Sequence, residues 1–271
     1  MRKISELHIY PIKGLKGISL QNSELTPLGL KYDRRFMLVQ PNGTFISQRE
    51  VPQLALINIQ FSNTGFVLFD PKSNTNIVLP FEIFGSTRKV KIWDDMVDGI
   101  EAESQYSEWF STILNMDCSL VYLPDSSTRM LDTKYNRGED LVSFADGFPF
   151  LLIGQSSLDY LNQILSEPIP MDRFRPNIVF SGGAAFEEDT FHEISVGSNR
   201  FFALKPCARC SVPTINQQNG TKGLEPTKTL ATFRQKDNKI YFGENLVLGS
   251  NQTQISVGDL LDPITFKPSL F

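Results

Sequence analysis

Residues 35–48 read Arg35-Phe36-Met37-Leu38-Val39-Gln40-Pro41-Asn42-Gly43-Thr44-Phe45-Ile46-Ser47-Gln48. Two β-prone runs flank Pro41-Asn42-Gly43. Proline opens a turn, and Asn-Gly accepts the positive backbone angles of a tight hairpin. The stretch is therefore predicted to be a β-hairpin. Working outward, residues 4–10 alternate apolar and polar side chains, as a half-buried strand does. Residues 54–61 and 65–69 bracket Ser62-Asn63-Thr64, a second hairpin signal. Residues 78–80 and 89–93 add shorter strands. A run of strands this short and regular predicts an antiparallel barrel or sandwich over the first ~90 residues.

Later segments are mixed. Residues 102–114 carry Trp109, Phe110, Ile113 and Leu114 at helical spacing, with Tyr106 one turn earlier. Residues 156–165 repeat the pattern with Leu158, Leu161 and Leu165, and Ser156 or Ser157 is the expected N-cap. Between them residues 126–140 are polar and charged and read as a long loop, a kind of segment that is often functional or mobile. Strands are expected again over 177–181, 193–196, 200–204, 239–242 and 254–257, with a short helix over 227–233.

Composition narrows the class. With 271 residues and 41% hydrophobic content, the chain supports one large or two modest domains with a real core. A net charge of −4 provides no global basic field to recruit nucleic acid, although a local basic pocket is compatible with it. Three cysteines, Cys118, Cys207 and Cys210, argue against a disulfide framework and fit a reducing compartment. They also exclude a four-cysteine iron–sulfur cluster or an all-cysteine zinc site built from this chain alone. Two histidines, His8 and His192, leave little for a His-rich metal site. Glu6, His8 and Lys13 interrupt the N-terminal apolar stretch, so no signal-peptide core forms. No apolar run approaches the ~20 residues of a membrane helix. The expectation is a soluble, cytoplasmic protein with neither membrane nor nucleic acid as partner.

The sharpest local feature is Lys205-Pro206-Cys207-Ala208-Arg209-Cys210. Thiolates are soft ligands for zinc, copper(I), iron–sulfur or molybdenum, and Lys205 and Arg209 favour the ligating thiolate. Spacing alone leaves three readings open: a redox pair, half a zinc site, or two cysteines buried as small hydrophobes. A redox pair belongs at a helix N-terminus, whereas Pro206 and Pro213 bracket this pair among strands. Anion-binding groups occur elsewhere. They are Lys13 in Tyr10-Pro11-Ile12-Lys13-Gly14, the pair Arg34-Arg35, and the run Arg173-Phe174-Arg175-Pro176-Asn177. Guanidinium forks suit phosphate, and on a strand Arg173 and Arg175 would share one face. No GxGxxG or P-loop is present.

These segments together resemble a known family. Tyr10-Pro11-Ile12-Lys13 and the run from Gly29 through Tyr32-Asp33-Arg34-Arg35-Phe36 to Val39 resemble the MOSC N-terminal β-barrel domain. Phe174-Arg175-Pro176-Asn177-Ile178, the Lys205–Cys210 run, Glu225-Pro226 with Thr229-Leu230, Phe233-Arg234, Phe242-Gly243-Glu244-Asn245-Leu246 and Val257-Gly258-Asp259 resemble the MOSC domain. The matches recur in order over nearly the whole chain. The resemblance implies a mixed, mainly β fold: a barrel-like N-terminal domain over residues 1–120 and a MOSC β-barrel domain with a few packed helices over 121–271. Within the family, the pattern is similar to that of amidoxime-reducing proteins, which bind a molybdopterin-type molybdenum cofactor and reduce N-hydroxylated compounds. The resemblance then implies Cys210 as metal ligand and catalytic centre, with Cys207 a packing neighbour. It implies Lys13, Arg35, Asp146, Arg175, Asn177 and Arg209 around the pterin and its phosphate. At family level it also carries an association with pyridoxal phosphate, to which no residue here is assigned. A second role in the wider family is a non-catalytic cofactor or sulfur carrier, using Cys207 or Cys210 as a persulfide. Two positions depart from the pattern: Gly14 stands where serine is usual, and Asn216 where an acid is usual. Some bacterial relatives continue into a ferredoxin domain, whereas this sequence ends at Phe271. The resemblance therefore implies a separate electron-donor protein, of ferredoxin or flavoprotein type.

Overall fold

A computed structural model describes residues 1–249 and 253–271. The chain is mainly β, as expected, with three α-helices among the described residues: α1 (Ser104–Leu114), α2 (Gln155–Ile164) and α3 (Thr227–Ala231). None is long and apolar enough to cross a membrane.

The hairpin at 35–48 forms, but its two arms part. Gly43 takes φ +84° in the turn, and Gly43 N–H donates to Gln40 O at 2.8 Å. Strand Phe36–Val39 is buried along its whole length and pairs antiparallel with Ser119–Tyr122. The return arm instead divides its bonds. Ile46 N–H donates to Leu38 O, and Phe45 N–H donates to Lys91 O. Ser119–Tyr122 pairs next with Asp95–Glu101, and that with Thr87–Ile92. A separate meander of Asn58–Phe61, Gly65–Asp70 and Thr75–Pro80 uses the second expected turn. Residues 54–56, read as strand, belong instead to a short 3-10 helix, Pro52–Leu56. Pro52 begins it, because proline brings a helical φ and no N–H for a ladder. Tyr106 and Phe110 of α1 fill the core beneath these strands, and Asn115 ends the helix in the left-handed conformation.

The larger sheet runs Leu261–Phe266, Phe191–Val196, Asn199–Ala208, Lys239–Leu248, Phe150–Gly154, Ile178–Ser181, Lys3–Ile9, Ile18–Leu20. Lys3–Ile9, from the start of the chain, is thus an interior strand beside Ile178–Ser181. Phe150–Gly154 was invisible to the periodicity because every residue in it is buried; a strand covered on both faces has no alternation to read. It runs parallel to Ile178–Ser181, and α2 makes the crossover such a pair needs. The expected serine cap of α2 is corrected. Gly154 is the N-cap, Ser156 donates to Gly183 O, and Ser157 is spent on Glu188.

Behind this sheet lies a buried ionic cluster. Asp189 pairs with Arg234 at 2.6 Å, Glu244 with Lys267, and Glu188 accepts from Ser157 Oγ and Gly154 N–H. Burial pushes Glu244 up to about 8, with Lys267 only partly offsetting it, and Glu188 up to about 7. The unfolded chain releases these protons near the ordinary carboxylate value and the folded chain holds them. Their contribution to stability is therefore full below about pH 4.5 and is lost as pH rises towards 8. We expect the urea midpoint to fall between about pH 5 and pH 8, and Glu244→Gln to flatten that fall. An equally steep fall in the variant would show that Glu244 does not carry it.

Candidate functional site

A cleft of about 320 Å³ opens where the N-terminal strands meet the larger sheet. Its lining includes Lys13, Asp146, Arg175, Asn177, Arg209 and Cys210, six of the seven residues singled out from sequence. The seventh, Arg35, is elsewhere. It is buried, donates from Nε to Leu123 O at 3.0 Å, and pairs with Asp125 at 2.7 Å. Arg34 faces the cleft instead. Tyr32 and Arg34 take positive φ, 70° and 48°, and this breaks the strand alternation that would assign Arg35 inward.

Arg34 is held by a buried network. Its Nη1 donates to Asp33 at 2.6 Å and to Asn177 Oδ1 at 3.1 Å. Asp33, 1% exposed, also accepts Tyr10 N–H at 2.8 Å. Burial opposes the charge on Arg34 most strongly, but Asp33, Tyr10 and Asp146 together outweigh it and the guanidinium titrates above its ordinary value. Asn177 is a joint. Its amide donates to His8 O and its Oδ1 also accepts Leu151 N–H, so it locks two strands to Arg34.

Arg175 sits against the same Tyr10 ring, 4.1 Å from its centroid, with Arg34 at 4.4 Å. Arg173 and Arg175 do not share a strand face. Arg173 ends a 3-10 helix, Met171–Arg173, and is spent on Pro213 O and Glu225 O, away from the cleft. Arg175 follows in the left-handed region at φ 56°. A non-glycine residue there costs about 1 kcal/mol or more and persists only where its surroundings hold it. Burial pushes its guanidinium down to about 10, with Tyr10 opposing, so it stays charged at neutral pH. Among the described residues no acceptor meets its N–H groups.

Lys13 donates to Phe144 O at 2.8 Å and pairs with Asp146 at 2.5 Å. Burial pushes Lys13 down, and Asp146 resists the shift. The protein around Asp146 opposes its ionisation even though the side chain reaches solvent, but Lys13, Arg49 and the Trp93 indole N–H overcome it. They hold Asp146 well below the usual carboxylate range, so it is acceptor-only at neutral pH. Gly14 takes φ 90° in this turn, and its carbonyl accepts Gln48 Nε2 at 2.5 Å. Asn216 does not line the cleft; its Oδ1 caps its own turn by accepting Gln218 N–H.

The cysteine run ends strand Asn199–Ala208, which is longer than expected. Its ladder with Lys239–Leu248 slips between Ala203 and Lys205 and again between Pro206 and Ala208. Pro206 has no N–H for the ladder, and bulges re-aim side chains. Lys205, Cys207, Ala208, Arg209 and Cys210 consequently all reach the cleft. Arg209 Nη1 donates to Cys207 Sγ at 3.1 Å, Nη2 donates to Phe174 O at 2.7 Å, and Nε is buried with no partner. Cys207 also packs on the core beside Phe174 and Phe242. Among the described residues, no three His, Cys, Asp or Glu side chains converge to hold a metal. His8 and His192 bond to Glu6 and Thr265 respectively.

The donor set fits an anionic cofactor that brings most of a metal's ligands itself. It offers one thiol, Cys210, free of Arg209. It offers Arg175 without an acceptor, and an orphaned Arg209 Nε of the kind a bound group satisfies. Among the described residues it contains no cluster of three metal-ligating side chains of its own.

Comparison with known proteins agrees. Residues 1–117 match the MOSC N-terminal β-barrel domain, and residues 139–262 match the MOSC domain. The chain is 30% identical over 285 residues to mitochondrial amidoxime-reducing component 1 of Xenopus laevis, covering 97% of this chain and 82% of that protein. It is 31% identical to mitochondrial amidoxime reducing component 2 of Rattus norvegicus, covering 86% and 73%. It is 28% identical over 308 residues to molybdenum cofactor sulfurase of rice, spanning 36% of that longer protein. The chain belongs to the family in which a MOSC N-terminal β-barrel domain is joined to a MOSC domain.

Proposed function

We propose that this protein is a molybdenum-cofactor-dependent reductase of N-hydroxylated compounds, served by a separate electron-donor protein. The observation that carries the reading is one thiol, Cys210, in a cleft whose buried Arg175 has no protein acceptor. The relatives' names supply the reaction class. Overall, two electrons and two protons convert an N–OH group to N–H and water.

When bound, a molybdopterin cofactor supplies the two-electron chemistry and an open metal position. The chain's own residues have three tasks. Cys210 provides the protein thiolate. Arg175 and Arg209 neutralise the cofactor's phosphate, a role in which an unpaired buried guanidinium gains most. Asp146, held ionised, accepts N–H groups of the pterin, while Lys13 fixes its orientation. Because Asp146 stays ionised, it is not the source of the reaction's protons.

The 28% identity to a sulfurase favours a second reading, a cofactor or sulfur carrier. Arg209 beside Cys207 Sγ would then stabilise a persulfide. One experiment separates the two. Freshly purified protein is assayed for molybdenum and pterin, for cyanide-releasable sulfur, and for benzamidoxime reduction with a reduced donor. Molybdenum with turnover supports the reductase. Releasable sulfur with no turnover rejects it in favour of the carrier.

A further inference from the structure

The cleft has a charge surplus that the cofactor reading does not use up. Six cations line it, Lys13, Arg34, Arg49, Arg175, Lys205 and Arg209, and Asp146 is the one acid among the lining residues. Asp33 balances Arg34 from behind, and Asp146, paired with Lys13 and within the field of Arg49, offsets one more charge, which leaves a net surplus of four. A phosphate monoester brings about two negative charges.

Burial and anchoring together sort the four. Arg175 is 9% exposed, and Lys13 and Asn177 beside it are also buried. Arg209 is anchored to Phe174 O, and its orphaned Nε is buried. Arg49 and Lys205, partly buried like Arg209, have no such anchor, and Arg49 lies beside the open Trp93 ring, 46% exposed.

Neither Arg49 nor Lys205 makes an ion pair or a side-chain hydrogen bond among the described residues. Each is braced by rings instead. The Arg49 guanidinium lies 4.4 Å from the Trp93 centroid and 5.7 Å from that of Phe45. Lys205 Nζ lies 4.5 Å from the Tyr135 centroid and 5.5 Å from that of Phe148. Cation–π contact restricts a cation without neutralising it, so all its N–H donors remain for a ligand. The nearest acid in sequence, Glu50, is turned to Ser47.

We infer that Arg49 and Lys205 form a specificity subsite for a carboxylate or phosphate group carried by an aromatic N-hydroxylated substrate. This rests on the reductase reading above. Phe45 and Phe148, which line the cleft and each brace one of the two cations, are flat apolar walls for an aromatic body, and the cations meet its anionic end.

The test compares benzamidoxime with its 4-carboxy and 4-phosphonooxy derivatives in the cofactor-loaded protein and in Arg49→Gln, Lys205→Met and the double variant. We expect kcat/KM to favour an anionic derivative by about tenfold or more, one charge-assisted contact's worth. Each substitution lowers that ratio and the double variant brings it near one, with molybdenum content unchanged. The derivative with the larger ratio tells carboxylate from phosphate. Calorimetric binding of 4-carboxybenzamidine against benzamidine provides a readout independent of turnover, and its preference falls in the same order. A wild-type ratio near one, or a ratio indifferent to the substitutions, overturns the subsite. Loss of molybdenum from the variants also overturns it, because the two cations would then belong to the cofactor. Absence of turnover with every substrate, benzamidoxime included, rejects the reductase reading instead.

Discussion

On the proposed reading, replacing Cys210 with Ala is expected to remove bound molybdenum and to lower benzamidoxime reduction at least about 100-fold, while the protein stays folded. The scale follows from what outer-shell changes alone cost at metal sites, 10–100-fold; a direct ligand costs more. The physical reason is the poverty of the site. Among the described residues no cluster of three His, Cys, Asp or Glu side chains is present to take over, and Cys207, the other cleft sulfur, is engaged by Arg209. Cys210 is partly exposed and lies beyond the bulged end of strand Asn199–Ala208, so its truncation leaves little cavity and the fold is spared. Cys207→Ala is the control: that sulfur packs on the core and accepts from Arg209, so the variant keeps its molybdenum. Elemental analysis with circular dichroism reads both. Molybdenum retained in Cys210→Ala, or lost only in Cys207→Ala, would exchange or end the assignment.

Asp33→Ala is expected to be the most destabilising single change near the cleft, by about 3–5 kcal/mol. Asp33 contacts no bulk solvent and lines no part of the cleft, yet it carries the charge that makes Arg34 tolerable there. Its removal leaves the largely desolvated Arg34 guanidinium without its counter-ion and frees Tyr10 N–H, a buried donor. Tyr10, on whose ring Arg34 and Arg175 rest, loses its backbone tie to Asp33, so on the proposed reading cofactor retention is expected to fall with stability. Arg34→Met added to Asp33→Ala recovers part of the loss, because an uncompensated charge costs more than an apolar substitute of similar length. Urea midpoints of the two variants measure this. A single-variant loss under about 1 kcal/mol, or no recovery in the double variant, would show that the pair is not what holds Arg34.

Much of this site could be read in one dimension. Lys13, Asp146, Arg175, Asn177, Arg209 and Cys210 were singled out by the family's residue pattern, and the fold brings all six to one cleft. Arg35 illustrates the limit. Adjacent arginines differ only in which face they take, and the positive φ at Tyr32 and Arg34 that decides it comes from packing around Asp33. Arg49 had no signal at all. Its neighbours Gln48 and Glu50 suggest an ordinary polar turn, and only the approach of Trp93, from a hairpin more than forty residues on, makes it a braced cation. Strand Phe150–Gly154 escaped for the opposite reason, being apolar on both faces.

What the sequence determined by itself is the local order: short strands punctuated by Pro-Asn-Gly and Ser-Asn-Thr turns, helices at 3.6-residue spacing, and a thiol pair with arginine between. These depend on interactions a few residues long, so a linear reading reaches them. Tertiary structure alone decided which sulfur is free, which arginine faces inward and which cations lack a partner. Those depend on long-range pairing and burial. The bulges set by Pro206 against strand Lys239–Leu248 turn five near-consecutive side chains to one cleft. The network through Asp33, Tyr10 and Asn177 joins segments more than 140 residues apart into one positively charged floor.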